Sequence, residues 1–389
     1  MAAYLQMGHD SENLILENGL PGFSGIVLSP VNRSKGVLAT NVSNFRTQGQ
    51  YDIILDPQLY CPRSDRGALT KHDYFPKDMD TADLSSERWW RKIIANLVTE
   101  AVDLDVDAVC SPVELPQKYT PDYYAHCRNT FALLTQQLDG TGIRPVMTVC
   151  LELKGLADPS DALQIASIIT APNPKHVYIV IEADVAPRLE LTDPQNLFPL
   201  MVLISALQNS GCETLVSHCS SDMILMKAAG ASDCASGKFF NLRRFTRGRF
   251  DSDQDTGGRL LAYWFEHNLL AFLREADLAL LRREGFGNFI GGGASNNPFA
   301  EQISQKLQHE PGTAWVALSW RQYLAWFAAT EERLSRPDSL LIVRGWLKEA
   351  DTRWGQLEEN EILFEERRND GQWVRNWRQA LRDFRQSIT

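Results

Sequence analysis

Polar residues recur in this chain just after short apolar runs. Asp56 and Gln58, with Tyr60, follow Ile53-Ile54-Leu55; Ser29 and Asn32 follow Phe23–Leu28; Ser111 and Glu114 follow Asp107–Cys110. Glu152 closes Arg144–Leu151, Glu182 and Asp184 follow His176–Ile181, and His218 and Ser220 follow Glu213–Val216. Asp233, Ser236 and Lys238 lie in and after the last such run, Ser232–Ser236. If the runs are parallel strands, the residues at their carboxyl ends converge on one mouth, where barrel enzymes do their chemistry. Asp56, leaving a strand before Pro57, is expected to point a carboxylate into that mouth, as catalyst or ligand holder. Glu152 and Asp233 would face each other across it, the arrangement that glycoside cleavage needs. Glu182 and Asp184, two apart, share one side of an extended segment and could divide acid and base duties or hold a metal. His218 offers an imidazole for general base work. Ser111, Gln58 and Glu182 are expected to bind substrate.

The stretch Lys227–Phe250 carries the densest chemistry. After Gly237 it sets Lys238, Arg243, Arg244, Arg247 and Arg249 among Phe239, Phe240, Phe245 and Phe250. A late strand-to-helix loop of a barrel often holds phosphate through backbone N–H groups and a cation. Gly237 allows close approach, Lys238 supplies a point charge, and Arg243 and Arg244 can fork onto phosphate oxygens. The competing use of these arginines is pairing with acids such as Asp251, Asp253 and Asp255.

The elements that must position these residues alternate strand and helix over the first 250 positions. Seven strands are readable: Phe23–Ser29, Tyr51–Leu55, Asp107–Ser111, Arg144–Leu151, His176–Ile181, Glu213–His218 and Ser232–Ser236. All are short and apolar on both faces, as helix-covered parallel strands should be. An eighth is expected near Gly36–Asn41 or after Phe239. Ser85-Ser86-Glu87, Asp158-Pro159-Ser160 and Asp193-Pro194 read as helix starts. Repeated βα units give a doubly wound sheet or a TIM-type (β/α)8 barrel, and no Gly-rich fingerprint follows the first strand, which favours the α/β barrel over residues 1–251. Residues 252–389 are expected to form an all-α, Trp-rich C-terminal module, with helices at Arg259–Arg283, Ala314–Leu334, Ser339–Glu349 and Asn360–Arg368. The last helix carries a Trp373, Trp377, Leu381, Phe384, Ile388 stripe. Eight of the ten tryptophans lie from Trp264 onward. They are expected to dock the module on the barrel or on a second subunit, the alternative being a nucleobase-stacking platform.

The 389 residues suit a barrel plus a smaller unit, and a formal charge of −10 argues against diffuse affinity for nucleic acid, leaving a local positive patch to do such work. Seven scattered cysteines without C-x-x-C spacing, no signal-peptide pattern and no long apolar run point to a cytoplasmic protein with no membrane association. No cofactor or metal is expected, since Cys212, His218, Cys219 and Cys234 lack structural zinc spacing. The run Ala228–Cys234 with its arginine-bearing exit resembles the late-barrel region of the tRNA-guanine transglycosylase superfamily, which implies a TIM barrel with a strand-borne aspartate nucleophile near Asp233. In the best ungapped match Ala235 stands where that nucleophile belongs, and the family's zinc cluster has no counterpart. The expected function is that of an enzyme acting on a nucleotide, nucleic-acid or other phosphate-bearing substrate. The alternatives are a glycoside hydrolase and a non-catalytic barrel serving as a recognition subunit, with a protein partner or self-association through the C-terminal helices.

Overall fold

A computed structural model describes residues 3–17, 20–64, 66–78, 86–250, 260–310, 312–366 and 369–388. Ser85, Asp251, Ser252, Asp253, Asp255 and Arg259 lie outside the described residues, so the proposed acid partners of the arginine run and the start of the expected long helix fall there.

Eight parallel strands close in sequence order. They are β1 (Ala3–Gln6), β2 (Phe23–Leu28), β3 (Asp52–Leu55), β4 (Ala108–Cys110), β5 (Arg144–Glu152), β6 (His176–Glu182), β7 (Glu213–Val216) and β8 (Asp233–Ser236). Closure is made by β8 on β1, with Tyr4 opposite Ala235 and Leu5 opposite Ser236. The eighth strand is therefore the N-terminal run AYLQ. The segment Gly36–Asn41 lies instead inside a helix, and four residues ending in glutamine carry too little apolar signal to mark a buried strand.

Between the strands run α1 (Asn13–Leu16), α2 (Lys35–Gln48), α3 (Glu87–Asp103), α4 (Pro121–Leu138), α5 (Pro159–Thr170), α6 (Pro194–Asn209) and α7 (Met223–Ala228). The starts of α5 and α6 follow from local chemistry. Asp158 and Asp193 accept from the amides of Ser160 and Gln195, and proline occupies the first helical position, where no N–H is needed.

Beyond the barrel lie β9 (Trp264–Glu266), β10 (Ala271–Leu273), α8 (Glu275–Arg283), α9 (Pro298–His309), α10 (Val316–Leu334), α11 (Ser339–Glu359) and α12 (Gln372–Ser387). The single helix expected up to Arg283 is thus an antiparallel hairpin followed by a short helix. The cause is Glu266, whose fully buried carboxylate accepts from Trp264 Nε1, Asn268 N, Gly291 N and Gly292 N, pinning the hairpin to the glycine-rich loop. Residues 360–366 are not helical either, because α11 runs on to Glu359 and Glu361 adopts φ +54°.

The C-terminal helices complete the barrel's core. Phe327 of α10 stacks on Phe23 of β2 at 6.4 Å, and Lys227 of α7 pairs with Glu331 of α10 at 2.8 Å, both side chains being inaccessible. Burial beside few compensating donors pushes the Glu331 carboxyl up to about 8. Trp377 of α12 donates to Leu191 O at 2.5 Å. Trp264, Trp315, Trp326, Trp354, Trp373 and Trp377 are all buried and pack the module, whereas Trp320 and Trp346 are part-exposed.

Candidate active site

At the carboxyl end of the barrel Asp56 lies just past β3, 1% exposed. Its carboxylate accepts from Gln58 N at 3.0 Å, from Tyr60 Oη at 3.0 Å to both oxygens, and from Tyr178 Oη at 3.4 Å. Burial outweighs these donors and the nearby Arg249 charge, and raises the carboxyl to about 6. The one Tyr178 hydroxyl proton is shared between Asp56 and Gln6 Oε1, the latter at 3.2 Å, and Ser29 Oγ donates to Gln58 Oε1 at 3.2 Å. Among the described residues the amide nitrogens of Gln6 and Gln58 find no acceptor although both are buried. Two stranded donors beside a carboxylate of raised affinity for protons are costly, at about 1–3 kcal/mol each, unless something small and polar meets them.

The backbone around this centre is strained. Gln58 and His218 adopt φ +52° and +54°, in the left-handed region that costs a side-chain-bearing residue on the order of 1 kcal/mol. Both residues flank the mouth, one after β3 and one after β7.

Over the centre lies the segment that leaves β8. Gly237 is required there because a Cβ would sit 2.7 Å from Gln6 O and 2.5 Å from Leu242 Cβ. The segment then runs beside the end of β6, with Ala183 N donating to Phe245 O at 3.1 Å, and Ser64 Oγ holds its far end through Phe250 O at 2.6 Å. Phe245 and Phe250 close on Tyr60 with ring centroids 5.1 and 6.0 Å away. Arg249, half-buried at the top, lies over both phenylalanine rings and donates to His218 Nε2 at 2.5 Å. Since arginine can only donate, His218 Nε2 is the acceptor, so the proton sits on Nδ1 and points to Ser217 Oγ at 3.1 Å. Burial and the Arg249 charge hold His218 well below its ordinary value, so the ring is neutral.

Of the residues expected to do chemistry, Asp56, Gln58 and His218 meet in this mouth. His218 is not a free general base, however, because its lone pair is already engaged by Arg249. Asp233 is misplaced by the sequence reading. As the first residue of β8 it lies at the opposite, amino end of the barrel, where it lines a cleft with Asp52, Arg144, His176 and Glu213, each also the first residue of its strand. Glu152, the exposed last residue of β5, therefore has no opposed carboxylate in Asp233, and the glycosidase pair is not formed.

The expected anion clamp is spent on internal contacts. Arg243, 3% exposed, donates to Gly237 O and Lys238 O at 2.8 Å each and lies 3.6 Å over the Tyr323 ring. Arg244 pairs with Asp222 at 2.5 Å and with Glu190 at 3.7 Å, and Lys238 donates to Asp10 O at 2.8 Å. Glu182 is taken by Arg247 at 2.8 Å and Tyr119 Oη at 2.6 Å, whereas Asp184 pairs with Lys154 at 2.8 Å, so these two carboxylates do not act as one. Ser111 Oγ accepts from Thr148 N at 3.0 Å and knits β4 to β5. Arg244 and Arg247 pair with acids distant in sequence, whereas Arg243 is held by backbone carbonyls. Among the described residues no group of three or more His, Cys, Asp or Glu is arranged to hold a metal ion.

Two members of the centre escaped the sequence reading. Gln6 sits on the strand that went unrecognised. Tyr178 is a lone hydroxyl in the middle of an apolar strand, and its alternation with Val177 and Ile179 was the signal that it faces the barrel interior.

No protein-family model matches the chain, and no curated protein matches it. Among solved structures it is similar to a copper homeostasis protein CutC, described as putative, from Streptococcus agalactiae, at 12% identity over 63% of this chain and 100% of that one, with a TM-score of 0.39. A D-psicose 3-epimerase solved with D-fructose gives 11% identity over 67% and 93%, with a TM-score of 0.35. The carboxyl transferase domain of Rhizobium etli pyruvate carboxylase gives 11% over 92% and 55%, with a TM-score of 0.39. These likenesses say nothing about chemistry. No described helix is long and apolar enough to cross a membrane. The chain is a TIM-type (β/α)8 barrel with a helical C-terminal segment.

Proposed function

We propose that this barrel is an enzyme whose reacting centre is Asp56 and whose substrate is a small phosphate-bearing molecule of the nucleotide class. The observation that carries the proposal is the buried Asp56 carboxyl, raised to about 6, beside the stranded amide donors of Gln6 and Gln58. A carboxyl of that affinity exchanges protons near neutrality, as a general acid or base must. It would give or take a proton, or attack as a nucleophile in a transglycosylase-like exchange, while Tyr60 and Tyr178 donate to whichever charge develops. Arg249 replaces the expected clamp. Among the described residues its guanidinium meets His218 as its sole acceptor, which leaves further N–H donors for a phosphate at the rim. Entry requires the segment carrying Phe245 and Phe250 to lift.

The test is a panel of nucleotides and sugar phosphates read first by thermal shift and then by turnover. Binding should be lost in Arg249→Met, and Asp56→Asn should keep binding while abolishing turnover. Equal binding by the parent and Arg249→Met would reject the assignment of the anion site. A second reading, a non-catalytic barrel that recognises another protein, is favoured by the covering of Asp56 with Tyr60, Phe245 and Phe250. It predicts no ligand from the panel and a stable partner in native mass spectrometry of extracts.

A further inference from the structure

A second cavity of about 500 Å³ opens away from the mouth, between the loop after β6, the β9–β10 hairpin and the start of α12. Its size is that of small-molecule sites, at roughly 300–1,000 Å³. Phe240, Tyr263, Phe272 and Trp373 line it. The first three meet edge to face, with Phe240 5.3 Å from Tyr263 and 5.0 Å from Phe272, which holds their rings rigidly.

Two polar atoms of residues in this wall lack a hydrogen bond and are sealed from solvent. Trp373 Nε1 is buried, and among the described residues it has no hydrogen-bond acceptor. Glu190 spends Oε1 on Ser221 Oγ at 2.7 Å and Ser220 Oγ at 3.4 Å. Its Oε2 has no hydrogen bond and stands 3.7 Å from Arg244 Nη2, in a side chain 8% exposed. At the outer edge Arg188 bonds Tyr263 Oη at 2.9 Å and Glu366 at 3.2 Å, and it remains half exposed.

We propose that this cavity binds a purine-type nitrogen heterocycle, free or as its nucleoside. A planar ring suits the aromatic walls, because any π-face stacks on them. With the Trp373 and Glu190 side chains turned to the cavity, one edge of such a ring presents a ring nitrogen or carbonyl to the Trp373 N–H and an N–H to Glu190 Oε2, the complements of the two unbonded atoms. A ligand without hydrogen-bonding groups would leave both atoms unmet. Burial and the neighbouring Asp222 raise the Glu190 carboxyl to about 7, so near neutrality it accepts from one tautomer or donates to another. Phe240 belongs to the segment over the mouth, so an occupied cavity would brace that segment. The proposal does not depend on the mouth being catalytic, since the cavity lining and the Asp56 cluster share no residue.

The experiment is calorimetric titration of the whole protein at pH 7 with adenine, hypoxanthine, adenosine and guanosine, together with benzoate as a flat ring lacking the donor–acceptor edge. At least one purine should bind saturably and benzoate should not. Trp373→Phe keeps the ring and removes the N–H, and it should weaken binding about tenfold, as should Glu190→Gln, the loss expected for one buried hydrogen bond. Phe240→Leu gives a second, wall-based loss should Trp373→Phe fold poorly. Arg249→Met, which should empty the mouth, should leave this affinity unchanged. Failure of every purine at millimolar concentration, with only an ordered water between the two atoms in a crystal structure, would overturn the proposal. So would binding that Arg249→Met abolishes and the cavity variants spare, because the ligand would then sit in the mouth.

Discussion

Replacing Asp56 by asparagine should stabilise the protein, and by an amount that depends on pH. In the folded state burial raises the carboxyl from the ordinary 3.8 to about 6. The folded protein therefore holds this proton up to about pH 6, whereas the unfolded chain releases it near 3.8. Between those values the unfolded state binds fewer protons, so stability falls as pH rises, and the loss is complete above about pH 6. At 1.36 kcal/mol for each tenfold difference in proton affinity, the penalty is about 3 kcal/mol at pH 7. Asparagine never ionises, keeps the shape and can still accept from Tyr60, so it escapes the penalty. With an unfolding entropy of roughly 2.1 cal/mol/K per residue, a chain of this length gains about 3–4 °C in Tm. The assay is paired thermal scans of parent and Asp56→Asn at one scan rate from pH 4 to 8. The difference should be close to zero at pH 4, grow through pH 5 and level off above pH 6. An asparagine variant less stable than its parent at pH 7.5, or a gain that does not vary with pH, would refute both the burial argument and the view that this carboxyl is retained for chemistry at the expense of stability.

Arg244→Met should destabilise by about 3–5 kcal/mol, because it strands Asp222 and Glu190 in a buried site, and denaturant melts at pH 7 will show it. Gly237→Ala should cost about 1–3 kcal/mol and loosen the cover over the mouth, seen as faster hydrogen exchange across residues 239–250, because the new methyl collides with Gln6 O and Leu242. Glu266→Gln should lower protection of the Gly291 and Gly292 amides, since one carbonyl oxygen cannot serve the four donors that the carboxylate holds.

The barrel was legible in the sequence because its signals are local. Apolar runs of five to eight residues gave seven of the strands, and Asp-Pro starts gave the helices after β5 and β6. Asp56, Gln58 and His218 were placed at the carboxyl ends of strands by the same logic, as polar residues directly after such runs. What is not local was lost. Gln6 lies on a strand whose place is defined by pairing with β2 and β8, and the hairpin from Trp264 to Leu273 exists because Glu266 is bonded to a loop about 25 residues further on. The rim segment shows the division most clearly. Its five cations are visible at once, but which of them face outward depends on acids and carbonyls that folding brings together. Tertiary structure spent Arg243, Arg244 and Arg247 on Gly237 and Lys238 carbonyls, Asp222 and Glu182, and left Arg249 over Asp56 and His218. It also decided which end of β8 carries Asp233, because a residue's position along a strand reaches the mouth or the floor only once the strand's limits are fixed by its neighbours. The amino-acid order alone determined that a barrel would form and that its mouth would be polar. Long-range pairing, which no window of sequence contains, chose which polar groups meet in that mouth.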